Sequence, residues 1–147
     1  MSHKSFAVGE DIKTLRLPAS IDSLEKFRAF LLQEINPRNV PEDLIHKIEL
    51  VLEELLANVI HYAYPDIQGE VAVACFMEGG EKFSLVIQDW GRPFNPFDQE
   101  NPDIFEDIRD RVIGGLGILL VRSMADEYSY RRRGETNIVK VSFKLRH

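Results

Sequence analysis

The chain has 147 residues, 44% of them hydrophobic, which is the length of one domain with enough apolar side chains to bury a core. Its 24 acidic and 18 basic residues leave a formal net charge of -6, which argues against a nonspecific nucleic-acid binder, because that role needs a basic, phosphate-neutralising surface. With a single cysteine, Cys75, there is no intramolecular disulfide, and four scattered histidines give no paired spacing for zinc.

MSHKSFAVGED at the start lacks an apolar signal core, residues 1–9 read as a flexible tail, and no run approaches the ~20 residues of a membrane span. A cytoplasmic protein is expected. KTLRLPAS then alternates like a strand ending at Pro18, and Ser20 or Asp22 offers a cap for a helix over IDSLEKFRAFLLQEI to about Asn36. Pro37 stops it. A second helix is predicted after Pro41, with Glu42 and Asp43 in its first turn and a buried stripe of Leu44, Ile48, Val51, Leu52, Leu55 and Val59. Tyr64-Pro65-Asp66 ends that helix.

GEVAVACFMEGG and EKFSLVIQDW read as two strands joined at Gly79-Gly80, with Cys75 in the core. From Arg92 to about Ile113 the chain holds three prolines and many carboxylates, a long connection for a compact domain. GGLGILLVRSMADEY resembles a glycine-led helix start, and YSYRRRGETNIVKVSFKL a hairpin turning near Gly134, with Arg131-Arg132-Arg133 read as a solvated strand end or a docking patch. This order predicts an α+β, two-layer domain: helices on one face of a mostly antiparallel sheet.

Three places could carry chemistry. Glu54, Asn58 and His61 fall at i, i+4 and i+7, one row of the second helix, where a core stripe would want none of them. An Asn carbonyl can ligate Mg²⁺ without adding charge, and Glu54 one turn earlier could deprotonate a hydroxyl; both also fit a solvated helix face. Asp89-Trp90-Gly91-Arg92-Pro93-Phe94 leaves a strand, so that Asp89 could accept from an exocyclic amine while Gly91 admits a flat ring, although a plain turn uses the same residues. Gly114-Gly115-Leu116-Gly117 joins glycine freedom to a helix N-terminus, which suits phosphate oxygens or a flexible joint.

In this order, ExxxN at Glu54–Asn58, DxGxxF at Asp89–Phe94 and GGLGI at Gly114–Ile118 resemble the GHKL superfamily of ATPases and kinases, the Bergerat ATP-binding fold. More narrowly the chain is similar, from about Ile12 to Leu145, to small bacterial anti-sigma factors of the serine-protein-kinase type, with LRLPAS matching their opening. The resemblance implies that ATP and Mg²⁺ bind, that Asn58 coordinates the metal and Glu54 is the catalytic base, and that Asp89, with Gly91 and Phe94, recognises adenine. It further implies a lid over the triphosphate at residues 92–113 with Gly114, Gly115, Leu116 and Gly117, and Arg109 and Arg111 as its cationic candidates. The implied phosphoacceptor is a serine on a STAS-type anti-anti-sigma protein, the second partner is a sigma factor, and a homodimer is expected. The apolar lid residues Phe94, Phe97, Ile104 and Phe105 are candidates for the partner surface.

Two departures stand out. Relatives carry His four residues after the Asn, where this chain has Tyr62 with His61 one position earlier; and TNIVKVSF is expected to put Lys140 where relatives have a small hydroxyl residue beside the adenine. The alternative to a kinase is a nucleotide-binding module that switches partners without transferring phosphate. The absence of GxxxxGK[ST] and of the HRD and DFG sets argues against other ATP-using classes.

Overall fold

A computed structural model describes residues 12–98 and 115–145. Five strands form one sheet in the order β1-β2-β3-β5-β4, every neighbouring pair antiparallel. They are β1 (Lys13–Pro18), β2 (Glu70–Glu78), β3 (Lys82–Asp89), β4 (Glu127–Arg133) and β5 (Thr136–Lys144). Both predicted hairpins form, turning at Gly79 and Gly80 (φ 61° and 73°) and at Gly134 (φ 60°), left-handed values that glycine adopts without strain.

Helices α1 (Leu24–Ile35), α2 (Glu42–Asn58) and α3 (Gly115–Met124) share one face of that sheet. The α2 stripe explains the packing: Ile48, Val51, Leu52 and Leu55 are each at most 2% exposed and meet Val73, Leu85, Ile87 and Val141 from the strands. Each such side chain contributes roughly 1.5–3 kcal/mol relative to exposure. Glu42 and Asp43 place negative charge at the positive end of α2.

The first helix is shorter than expected. Ile21–Ser23 is a 3-10 turn before α1, Ser20 makes no side-chain cap, and Asn36–Arg38, which contains Pro37, is a second 3-10 turn. The end of α2 differs too: beyond Asn58 the chain widens into a π turn, Val59–Ala63, closed by Tyr64 N–H donating to the Val59 carbonyl at 3.2 Å. Of the long connection, Pro96–Asp98 forms a 3-10 turn, and residues 99–114 lie outside the described residues, as do residues 1–11. No helix among the described residues is long and apolar enough to cross a membrane.

On the sheet's other face Ala74, Phe76 and Val86 make a small second cluster with Ile12 and Ile138. Beside it Ser84 donates to Glu78 at 2.6 Å, and the Lys140 ammonium meets the second oxygen of Glu78 at 2.9 Å. Cys75 is buried in the main core, and burial pushes its thiol pKa well up, so it behaves as packing.

Candidate nucleotide site

The polar row on α2 points inward. Asn58 is 3% exposed, and three atoms of the row, Glu54 Oε2, Asn58 Nδ2 and His61 Nε2, are buried without a hydrogen-bond partner among the described residues. Leaving such a group unsatisfied costs about 1–3 kcal/mol each, so the row is retained against the interest of stability. Burial, and secondarily the Glu53 charge, raises the pKa of Glu54 above its ordinary carboxylate value. Gly117, in the first turn of α3, lies directly on this carboxylate: a methyl group at its Cα would overlap Glu54 Oε2 and Cδ.

The π turn explains how the second motif is held. Arg92 donates through its backbone N–H to the Ala63 carbonyl (3.0 Å) and through Nε to the Tyr62 carbonyl (2.9 Å), so the widened helix end grips the start of the long connection. Gly91 makes this possible, since a side chain there would strike the Ala63 carbonyl; the close approach the glycine permits is to this turn. Tyr64 closes the other side, its hydroxyl donating to the Glu70 carbonyl and accepting from Trp90 N–H, both at 2.8 Å.

Asp89 ends β3 at 3% exposure, and both hydrogen bonds it accepts among the described residues land on one oxygen, Oδ1: from Gly91 N–H at 2.8 Å and from Asn137 Nδ2 at 2.9 Å. Desolvation raises its pKa, opposed by these two donors and by the Arg132 charge. Asn137 in turn donates to the Arg92 carbonyl (2.8 Å), and its Oδ1 accepts from Tyr130 hydroxyl (2.6 Å), Phe94 N–H (3.2 Å) and Arg132 Nη1 (3.2 Å). Asn58, Asp89, Phe94 and Asn137 line one cleft with about 10 Å³ of free volume, and Phe94 stacks on Tyr62 with ring centroids 4.9 Å apart. Two larger cavities, one between α1 and α2 and one beside the β2–β3 turn, contain none of the motif residues.

The fold thus brings Asn58, Asp89 and Phe94 to one cleft, with Gly91 two residues beyond Asp89, and sets Gly117 of α3 against Glu54, one turn before Asn58 on α2. Gly115 and Leu116 open α3; Gly114, Arg109, Arg111, Ile104 and Phe105 lie outside the described residues. Phe97 packs on Tyr128, centroids 4.7 Å apart, and Arg122 donates to its carbonyl.

Two expectations are corrected. Lys140 does not stand beside Asp89: the β3–β5 register pairs Lys140 with Val86 and Asp89 with Asn137, so Lys140 belongs to the opposite face with Glu78. Nor is Arg131-Arg132-Arg133 a uniform solvated run, because Arg132 donates to the Gly91 carbonyl at 2.9 Å as well as to Asn137. Strand alternation was the available signal, since it puts Tyr128, Tyr130 and Arg132 on one face and Arg131 and Arg133 on the other.

A model of the histidine kinase-like ATPase domain matches residues 17–143. The chain is 27% identical over 140 residues to a serine-protein kinase RsbW of Staphylococcus epidermidis, covering 86% of this chain and 84% of that protein. To the RsbW of Staphylococcus aureus strain Newman it is 27% identical over 139 residues, with the same coverage. Among solved structures, the RsbU and RsbW domains of Rv1364c from Mycobacterium tuberculosis superpose with a TM-score of 0.63 at 15% identity, over 92% of this chain and 32% of that one. This chain therefore spans about a third of that protein's solved length. The histidine kinase domain of a blue-light activated kinase from Erythrobacter litoralis EL346 gives a TM-score of 0.53 at 20% identity, over 84% of this chain and 60% of that one. At these identities the two structures speak for the fold.

Proposed function

The chain belongs to the histidine kinase-like ATPase domain family, and on that premise we propose that it is an ATP-binding anti-sigma regulatory factor with serine/threonine-protein kinase activity. The observation that carries this reading is the row on α2, where Glu54 Oε2 and Asn58 Nδ2 lack partners among the described residues and Asn58 lines the cleft that also holds Asp89. Buried polar atoms are as a rule hydrogen-bonded, so partnerless ones beside a cleft point to a ligand that meets them.

The residues present fit ATP and Mg²⁺. Asp89 accepts the exocyclic amine of adenine on its second oxygen, while Oδ1 stays with the protein. Asn58 turns its amide oxygen to the cation. Asn58 is the residue that would hold Mg²⁺, through its uncharged amide oxygen. Bound there, Mg²⁺ would neutralise the charge of the phosphates. The glycine-led first turn of α3, from Gly115 to Gly117, offers backbone N–H groups to phosphate oxygens, and Gly114, Arg109 and Arg111 are proposed to extend that cradle.

Glu54 is the base. Its raised pKa means greater proton affinity than an ordinary carboxylate, which suits it to take the proton of an incoming serine hydroxyl. The acceptor is proposed to be a serine on a STAS-type anti-anti-sigma protein. A sigma factor is the competing partner, the working form is a homodimer, and the setting is the cytoplasm. The relatives named serine-protein kinase support the kinase reading over partner holding alone.

Calorimetric titration with ATP, with and without Mg²⁺, tests the proposal. The native chain should bind, Asp89→Asn should lose binding, and Asn58→Ala should lose the Mg²⁺ dependence. No binding by the native chain at millimolar ATP would overturn it. Glu54→Gln separates the kinase from a partner-switching module without phosphoryl transfer: abolished phosphorylation with partner capture intact supports the kinase.

A further inference from the structure

A single row runs across the sheet at the mouth of the cleft. Arg132 of β4 pairs in register with Asn137 of β5, and Asn137 pairs with Asp89 of β3. The three side chains form a chain of donors and acceptors: Arg132 Nη1 to Asn137 Oδ1 at 3.2 Å, then Asn137 Nδ2 to Asp89 Oδ1 at 2.9 Å. Tyr130 adds its hydroxyl to the same Asn137 oxygen at 2.6 Å, and Arg132 reaches past it to the Gly91 carbonyl at 2.9 Å.

The hydrogen-bond capacity of Asn137 is thereby spent. Its two amide hydrogens go to Asp89 and the Arg92 carbonyl, and its oxygen receives Tyr130, Arg132 and Phe94 N–H. An amide so committed cannot read a base itself. What it can do is fix the rotation of the Asp89 carboxylate, holding Oδ1 in the protein and leaving Oδ2 as the acceptor. The direction of the amide is fixed as well, because Arg132 and the Phe94 N–H can only donate to its oxygen, while the Arg92 carbonyl can only accept from its nitrogen.

We propose that the edge strand β4, through Arg132 and Tyr130 acting on Asn137, is the positioning apparatus that makes Asp89 discriminate a 6-amino purine from a 6-oxo purine. An ionised carboxylate with one fixed, free oxygen attracts the adenine amine and repels the carbonyl of hypoxanthine. If the clamp is loosened the carboxylate can turn, and if it is also less well held as an anion it protonates more readily and offers an O–H to that carbonyl. Among the described residues, the charged and titratable groups facing Asp89 are Arg132 and Tyr130 from β4 and Tyr64, just past the π turn. Arg132 is the cation among them.

The inference rests on the ATP-binding reading above, and its test separates the two. Titrate the native chain, Arg132→Met, Tyr130→Phe and the control Arg131→Met with MgATP and with MgITP, the inosine nucleotide, from pH 5 to 8, and record the melting temperature of each. The native chain should prefer ATP. Arg132→Met should lose about tenfold in ATP affinity, Tyr130→Phe several-fold, and both should narrow the ATP-to-ITP ratio while Arg131→Met does not. Because the Arg132 charge lowers the pKa of Asp89, its removal should move the acid loss of ATP binding to higher pH, a change that loss of packing alone does not produce. An unchanged ratio and acid limb in folded Arg132→Met and Tyr130→Phe would remove this inference alone. Failure of the native chain to bind either nucleotide would remove the proposed function with it.

Discussion

Gly117 of α3 occupies the space directly over the carboxylate of Glu54 on α2, so close that the smallest side chain at 117 would coincide with Glu54 Oε2. A glycine within a helix ordinarily costs about 0.5–1 kcal/mol relative to alanine. Here the sign should reverse. Gly117→Ala is expected to destabilise by about 1–3 kcal/mol, because α3 must shift off α2 or Glu54 must leave its place. Adding Glu54→Ala should return most of that loss, so urea unfolding of the two single variants and the double variant reads the contact as a coupling energy. A more stable Gly117→Ala would show that the two helices are not packed through this point.

Glu54 makes the conflict between stability and function measurable. Burial raises its pKa above the ordinary 4.5, so the folded chain holds a proton that the unfolded chain has already released. Its favourable contribution is therefore fully present below the unfolded value and lost as the pH rises through the folded value. Glu54→Gln removes the group whose ionisation burial opposes, so at pH 7.5 the variant should melt higher than the native chain. Toward pH 4 the difference should shrink. Thermal unfolding across this range checks the sign, and a difference that grows on acidification would contradict it.

Tyr64 ties the site to the sheet through one hydroxyl, which donates to the Glu70 carbonyl at the start of β2 and accepts from Trp90 N–H next to Asp89. Tyr64→Phe leaves both backbone groups without this partner, one of them beside the proposed adenine acceptor. The expected loss is about 1–3 kcal/mol of stability by urea unfolding. A weaker grip on ATP should accompany it, because Trp90 and Gly91 are no longer anchored on the Tyr64 side. An equal stability in the variant would mean that water replaces the hydroxyl at no cost.

The sequence carried much of this arrangement, and the physical reason is periodicity. The stripe from Ile48 to Val59 dictated the buried face of α2, and alternation with Gly79-Gly80 and Gly134 dictated both hairpins. The family resemblance singled out Glu54, Asn58, Asp89 and Phe94, and the fold sets the last three along one cleft. Three features stayed hidden. The π turn after Asn58 is held by the backbone N–H and the Nε of Arg92, which lies far along the chain. Asn137 was passed over because choosing the residue opposite Asp89 needs the β3–β5 register, and counting within TNIVKVSF does not provide it. Arg132 was hidden in a run of three arginines whose composition suggests solvent, although its strand parity points inward.

That register gives a direct test at Lys140. On the sheet's far face its ammonium holds Glu78 at 2.9 Å, and Glu78 also accepts from Ser84 at 2.6 Å. The Ser84 hydrogen bond lowers the Glu78 pKa below its ordinary 4.5; burial opposes it next, and the Lys140 hydrogen bond and charge add to the lowering. The stability these contacts contribute is thus present above the unfolded value and lost as the pH falls through the folded one. Lys140→Met removes one partner of a half-exposed pair, so the change at pH 7 should be within about 1 kcal/mol, with a shallower loss on acidification than in the native chain. Its ATP affinity should stay within about twofold of native, since the side chain is on the face away from the cleft. A tenfold loss of ATP binding in Lys140→Met would instead put Lys140 beside the nucleotide, and the β3–β5 register would then be wrong.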